Sequence, residues 1–306
     1  MHIAFIHPHR SFLPELDAYQ DFFSTRNIRC SVHLPEKAGK TEADVEWHFM
    51  GWDQQKKDSH KLTIHEYGSS SLPPLASIKN WAKSRFGKKP DFRVFLNAYV
   101  ERIFDFADKV PFGYRDMGIY PWQPPAPLPI KRFDFVYTGS VGKERNIDSL
   151  LQHFTRGSLE RQSLLILSRD YESLKKRYSR GGNIFFQGPV PYASVSDYLC
   201  QARYAINYVP DKAPFNRQTS TKLLEYANLK LPILTTSYDW VRGFEQTYGG
   251  CFFYLLADLS NFTWDAVNQF AYGFPALADW SWERQINKSG VLEFLQLNFQ
   301  GLSLDR

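Results

Sequence analysis

Short apolar runs alternate with amphipathic stretches along almost the whole chain, and no other feature limits the possible folds as strongly. Strands and helices that succeed one another at such short spacing return each strand to the same sheet through right-handed crossovers, giving a parallel sheet with helices on both faces. Residues 3–6 are the first apolar run, and Leu13, Leu16, Tyr19, Phe22 and Phe23 recur behind them at helical spacing. Residues 29–34, 61–65 and 93–96 read as further strands. Between Tyr120 and Pro129, five prolines in nine residues remove so many backbone donors that neither helix nor interior strand can form. The alternation then restarts. Strands are predicted over 133–138, 163–167, 184–186, 204–209 and 233–235, with helices over 147–154, 173–178, 195–202 and 223–229.

A chain of 306 residues is about twice a modal domain of roughly 100–150 residues, so the restart predicts two α/β domains. The expected division is 1–125, 126–290, and a terminal helix within 291–306 that packs back on the first domain. The net charge is +5, but residues 1–130 carry 17 basic and 15 acidic groups, so neither half is a nucleic-acid glove. Cys30, Cys200 and Cys251 are odd in number and widely spaced, which argues against a disulfide framework and a zinc site. Met1 runs directly into a strand, and no 18-residue apolar run occurs, so the expected location is cytoplasmic.

Parallel sheets bind ligands at the carboxyl ends of their strands, where helix N-termini present free N–H groups to anions. Two loops of the second half fit. The first is Thr138-Gly139-Ser140-Val141-Gly142-Lys143-Glu144-Arg145-Asn146, with Lys143 and Arg145 just ahead of a helix; the second is Thr219-Ser220-Thr221-Lys222-Leu223-Leu224-Glu225, with Lys222 in a helix's first turn. A cation there opposes the helix dipole by about 0.3–1 kcal/mol and needs compensation. On spacing alone Lys222 and Glu225 read as an exposed i, i+3 ion pair. Two such cations in one domain suggest instead a bound diphosphate.

The same residues resemble the C-terminal half of retaining GT-B glycosyltransferases of family four. The matching text is Phe-Val-Tyr-Thr-Gly-Ser-Val-Gly-Lys-Glu-Arg-Asn-Ile-Asp-Ser-Leu-Leu, then Gln-Gly-Pro-Val-Pro, then Ser-Thr-Lys-Leu-Leu-Glu-Tyr-Ala-Asn-Leu-Lys-Leu-Pro-Ile-Leu-Thr-Thr, with a late Trp280-Ser281-Trp282-Glu283. The resemblance implies two Rossmann-like domains with parallel sheets facing a cleft. It also implies a sugar-nucleotide site in which Gly139 admits the donor, Arg145 and Lys222 hold the diphosphate, and Glu225 bonds the ribose. Ser220 and Thr221 lie at that helix start, and the turn Gly188-Pro189-Val190 would receive the base. Ser140 stands where relatives often carry arginine, and Arg217 where they carry a glutamate that addresses the transferred sugar. Arg217 thus suggests a carboxylate-bearing donor, a deoxysugar, or recognition by Asn216, Gln218 and Thr219 instead.

In the first half the resemblance is slighter. His65, in Lys61-Leu62-Thr63-Ile64-His65-Glu66, matches a strand end where relatives place a histidine facing the donor sugar, and is the catalytic candidate there; otherwise it is a structural histidine. The loop His7-Pro8-His9-Arg10 reads equally as acceptor contact or solvated loop. What the resemblance implies is transfer of a hexose from a UDP- or GDP-linked donor, with retention, to a saccharide or lipid-linked glycan in surface glycan synthesis. No metal is expected to take part, because no Asp-x-Asp or nucleotide phosphate-loop motif occurs. A nucleotide-sugar-binding protein without turnover is the alternative, and Asp105 and Asp108, read as helical, leave a glycosidase as a weaker one. Finally, Lys79, Lys83, Arg85, Lys88, Lys89 and Arg93 face only Asp91 and interleave with Trp81, Phe86 and Phe92. That stretch reads either as a peripheral contact with anionic membrane or as a solvated helix whose aromatics pack inward.

Overall fold

The computed structural model describes residues 1–7, 13–50, 60–71, 75–122 and 130–299. Its contacts divide the chain into two units, Met1–Gly118 with Asp279–Arg306, and Ile119–Ala278.

In the first unit the strands are β1 (His2–Ile6), β2 (Arg29–His33), β3 (Val45–Phe49), β4 (Leu62–Tyr67), β5 (Phe92–Phe95) and β6 (Phe112–Tyr114). They form one sheet in the order β2-β1-β3-β4-β5-β6, parallel throughout. Helices α1 (Pro14–Ser24), α2 (Ala76–Phe86) and α3 (Ala98–Phe104) connect them. The sequence-level pattern gave four of these strands and did not give β3 or β6. In β3, Glu46 and His48 break the apolar run, yet both are buried. Glu46 accepts from the N–H of Gly39 at 2.9 Å and the hydroxyl of Thr41 at 2.6 Å, so its burial is satisfied by tertiary partners that local pattern does not reveal.

The second unit repeats the plan. Strands β7 (Phe133–Thr138), β8 (Leu164–Leu167), β9 (Ile184–Gln187), β10 (Ala202–Asn207), β11 (Ile233–Thr236) and β12 (Phe253–Leu255) are parallel in the order β12-β11-β10-β7-β8-β9. Its helices are α4 (Ile147–Arg156), α5 (Glu172–Tyr178), α6 (Val195–Leu199), α7 (Thr221–Asn228), α8 (Asp239–Tyr248) and α9 (Trp264–Gln269). Ala202, expected to end a helix, opens β10 instead. The core is Phe135, Leu150, Leu151, Phe154, Ile166 and Phe262, packed between the sheet and its helices.

The chain then returns to the first unit earlier than residue 291. Helices α10 (Trp282–Lys288) and α11 (Val291–Asn298) place Trp282, Ile286, Val291 and Leu295 in the core that holds Phe5, Trp47 and Val94. Phe294 stacks on Phe92 with ring centroids 4.8 Å apart. The return requires glycine at 113, because a Cβ there would stand 1.8 Å from the carbonyl oxygen of Ser289. The proline-rich boundary falls mainly on 123–129, and most of the His7–Arg10 loop on 8–12, outside the described residues.

Candidate functional site

The loop after β7 turns at Gly139, whose φ of +109° is a conformation that favours glycine although open space surrounds the position. Its N–H donates to the carbonyl of Leu167 at 3.0 Å, closing the end of β7 against β8. Ser140 is exposed, and its hydroxyl accepts from the Gly142 N–H at 3.2 Å. A single 3-10 turn, Lys143–Arg145, follows, and Asn146 in the left-handed region caps α4. Arg145 therefore stands just outside the helix rather than in its first turn.

Helix α7 opens on Ser220, whose hydroxyl accepts from Leu223 N–H at 3.4 Å and donates to Asn207 Oδ1 at 2.8 Å. Asn207 in turn donates to Thr235 Oγ1 and Tyr238 OH, both at 2.9 Å, so buried bonds across β10 and β11 fix the helix start. Thr221 is its first residue and Lys222 its second. The first loop and this helix are also tied directly. Tyr226 OH accepts from Thr138 N–H at 3.0 Å and bonds Thr138 Oγ1 at 2.9 Å, joining the residue before Gly139 to the residue after Glu225.

Within that frame two cations sit close enough for the charge of Arg145 to bear on Lys222. Lys222 Nζ lies 4.3 Å from the Tyr137 ring centroid and reaches the Tyr208 carbonyl at 3.4 Å. The Arg145 guanidinium lies 4.3 Å above the Phe215 ring. Both are cation–π arrangements. Among the described residues neither group forms an ion pair. Burial depresses the Lys222 pKa well below the usual lysine range, and the positive charge of Arg145 lowers it further.

Glu225 does not pair with Lys222. Its Oε1 accepts from Tyr192 OH at 2.8 Å, and burial pushes its pKa up to about 7 despite that bond. The i, i+3 ion-pair reading is thus not what the fold makes. Tyr192 is two residues beyond Val190, and its hydroxyl ties that segment to α7. Gly188 leaves room for Tyr171, whose ring carbon would stand 3.2 Å from a Cβ there.

The remaining candidates lie elsewhere. Arg217 belongs to the 3-10 turn Phe215–Arg217, which also supplies the ring under Arg145, but its own half-exposed guanidinium pairs with Asp239 at 2.7 Å. Asp239 also accepts from Arg242. His65 belongs to the other unit and is not at a strand end, since β4 continues to Tyr67. It is fully buried, with Nε2 unpartnered and Nδ1 3.5 Å from Tyr67 OH, and burial with nearby positive charge lowers its pKa well below the usual histidine value. Asp105 caps the end of α3 and Asp108 lies beyond it, so the two are not on one helix. Arg93 leaves the basic surface stretch: it is buried in β5, bonds Asp108 twice, at 2.6 and 2.8 Å, and stacks on Phe106 at 3.7 Å. Phe92 is buried too. Sequence reasoning did not identify Tyr137, Tyr192 or Phe215. Of the four tyrosine and phenylalanine anchors, Tyr137 and Tyr226 lay within the matched text, and neither was given a role there.

No family model matches the chain, and no curated protein matches it. Solved structures match its fold. AviGT4, a glycosyltransferase involved in avilamycin A biosynthesis, superposes with a TM-score of 0.64 over 97% of both chains at 12% identity. Sucrose-phosphate synthase from Thermosynechococcus elongatus gives 0.63 over 97% of both chains at 12% identity. A point mutant of T4 phage BGT, in complex with UDP-glucose, gives 0.53 over 88% of this chain and 89% of that one, at 13% identity. The same phage enzyme is also solved with UDP and Mn2+. The chain has the GT-B glycosyltransferase fold, two six-stranded parallel sheets each flanked by helices.

Proposed function

We propose that the chain is a glycosyltransferase that takes its sugar from a nucleoside-diphosphate donor held in the second unit. The observation that carries this reading is the unpaired pair of Arg145 and Lys222. Two like charges brought together with no carboxylate are costly, and an anion bearing at least two charges removes the cost. A diphosphate fits, and Gly139 offers open space beside them. The UDP-glucose complex of the phage enzyme, which shares the fold, supports a nucleotide sugar as the donor class.

In the reaction the bond between the sugar's anomeric carbon and the diphosphate oxygen breaks, and its electron pair stays on that oxygen. The acceptor hydroxyl oxygen forms the new bond to the anomeric carbon, with retention by the resemblance, and gives up its proton. Arg145 and Lys222 stabilise the charge that develops on the leaving diphosphate, which is the larger part of what the protein must supply. Glu225 receives the ribose hydroxyls. The donor is UDP- or GDP-linked and the acceptor a saccharide or lipid-linked glycan.

Because two side-chain cations face the leaving group, the reaction is proposed to proceed without a divalent metal. Release of nucleoside diphosphate from UDP- and GDP-sugars is to be followed with saccharide acceptors in EDTA and in manganese. Unchanged release in EDTA is the expected result. Release that vanishes in EDTA and returns with manganese would give the charge on the diphosphate to a metal, as the UDP and Mn2+ complex of the phage enzyme makes chemically reasonable. Tight nucleotide binding with no release for any acceptor would instead favour the binding protein without turnover.

A further inference from the structure

Helix α2 carries its amphipathic character reversed. A helix on a protein surface normally buries its apolar stripe and shows its polar face to water. In α2 the only buried residue is Asn80, whose Oδ1 accepts from the N–H of Ser71 at 3.0 Å. Lys83 also turns inward, with Nζ 5.9 Å from the Phe104 ring centroid. The apolar residues point the other way: Leu75 is 65% exposed, Ile78 58%, Trp81 54% and Phe86 70%. At helical spacing Ile78, Trp81 and Phe86 lie within an arc of about 140°, and Leu75 stands just ahead of the helix. Trp81 and Phe86 meet edge to face at 5.4 Å.

The charges around it have one sign. Residues 75–90 contain Lys79, Lys83, Arg85, Lys88 and Lys89 and no acidic residue. The next carboxylate, Asp91, accepts from the N–H of Thr63 at 2.9 Å on the sheet. Arg85 falls inside the apolar arc, and both Arg85 and Lys89 are exposed.

We propose that this face of α2 docks on an anionic lipid surface. Bulky aromatic and aliphatic side chains enter the boundary between headgroups and acyl chains, and the surrounding cations meet lipid phosphates. The helix is about 16 Å long, which suits lying in that boundary and not crossing it. A protein partner would have to offer an acidic groove, whereas a membrane presents anions at any orientation of the helix. The proposal does not rest on the sugar-transfer reading.

The intact chain is to be sedimented with phosphatidylcholine vesicles, with and without phosphatidylglycerol, alongside Trp81→Ser/Phe86→Ser and Arg85→Glu/Lys89→Glu variants. All four substituted side chains are exposed, and circular dichroism and thermal melting check that each variant folds. The wild type should bind only the vesicles with phosphatidylglycerol, and less as salt rises. Each cation near such a surface strengthens partition about fivefold, so the charge reversal should weaken binding at least twentyfold or so. Removing both rings should abolish it, with nucleoside-diphosphate affinity unchanged in either variant. Wild type left in the supernatant with anionic vesicles overturns the proposal, as does sedimentation of both variants equal to that of the wild type. A self-associated species that the serine variant dissolves, without vesicle binding by the wild type, assigns the face to a second copy and overturns it too.

Discussion

The two units bury positive charge among aromatic rings in opposite ways. In the first, Arg115 is wholly buried, donates Nε–H to Glu66 Oε1 at 3.0 Å, and pairs through Nη2 with both Glu66 and Glu15. Glu66 also accepts from Trp47 Nε1–H at 2.9 Å, and Arg115 reaches the Asp116 carbonyl at 3.1 Å. In the second, Lys222 and Arg145 contact rings and one carbonyl, and among the described residues neither forms an ion pair with a carboxylate. A buried charge whose partners are all protein groups is part of the scaffold. One whose partners are missing points to a ligand that arrives from outside, and that difference is what separates the candidate site from an otherwise similar polar cluster.

Exchanging each cation for methionine tests the contrast most severely. Arg115→Met strands Glu66 and Glu15 in a dry interior, and breaking one side of such a network costs about 3–5 kcal/mol. Lys222→Met removes a desolvated charge that Arg145 already repels, so unfolding free energy from denaturant titration should hold or rise slightly. Equal destabilisation by the two substitutions would make Lys222 a scaffold residue like Arg115.

Ligand affinity should show the reverse order. Arg145→Ala and Lys222→Ala each delete a charge-assisted contact with the diphosphate, worth on the order of 1.5–3 kcal/mol, or roughly ten- to a hundredfold in Kd. Calorimetry with UDP and GDP measures this, and the corresponding free nucleosides should lose little. If both variants bind diphosphates as tightly as the wild type, the anion site is not between β7 and α7.

How far the sequence carried these conclusions depends on the range of the interactions. The alternation over residues 3–34 and 133–236 is local, and it gave the parallel sheets and most strand positions directly. Glu46 and His48 hid β3 because the groups that satisfy Glu46, Gly39 N–H and the Thr41 hydroxyl, lie in the loop ahead of the strand and not in its alternation. The return of the chain is non-local: a terminal helix is expected back on the first domain only from residue 291, and nothing in the run around Trp282 shows that it joins the core of Phe5 and Trp47. At the candidate site, Arg145 and Lys222 stood out as cations at helix starts, whereas the parts given to Gly139 and Glu225 came from the resemblance. The aromatic supports of the cations did not stand out, since a tyrosine inside a strand such as β7 looks like core whether or not a lysine lies over its ring. Arg93 shows the converse error, a cation counted with a surface run although strand register turns it inward to Asp108.

The smallest expected effect concerns Glu225, the carboxylate of α7. Burial pushes its pKa from an ordinary 4.5 up to about 7, with the Tyr192 hydrogen bond opposing the shift. The folded chain therefore holds this proton more tightly than the unfolded chain does, and the stability so conferred is full below about 4.5. As pH rises from there to about 7 the unfolded chain releases the proton first, so the contribution is lost across that window and is at its floor above it. Glu225→Gln cannot titrate. The difference in melting temperature between wild type and variant should thus move against the wild type from about pH 4.5 to about pH 7 and stay level beyond. Tyr192→Phe removes the bond that favours the carboxylate and should extend the window upward. Ribose hydroxyls that donate to Glu225 favour its ionised form, so at pH near 7 nucleotide binding should release more protons from the wild type than from Glu225→Gln. Calorimetry in two buffers of different ionisation enthalpy measures that release. A flat difference across the window, with equal proton release from both proteins, would place Glu225 away from the ribose and leave it as a hydrogen-bond partner for Tyr192 alone.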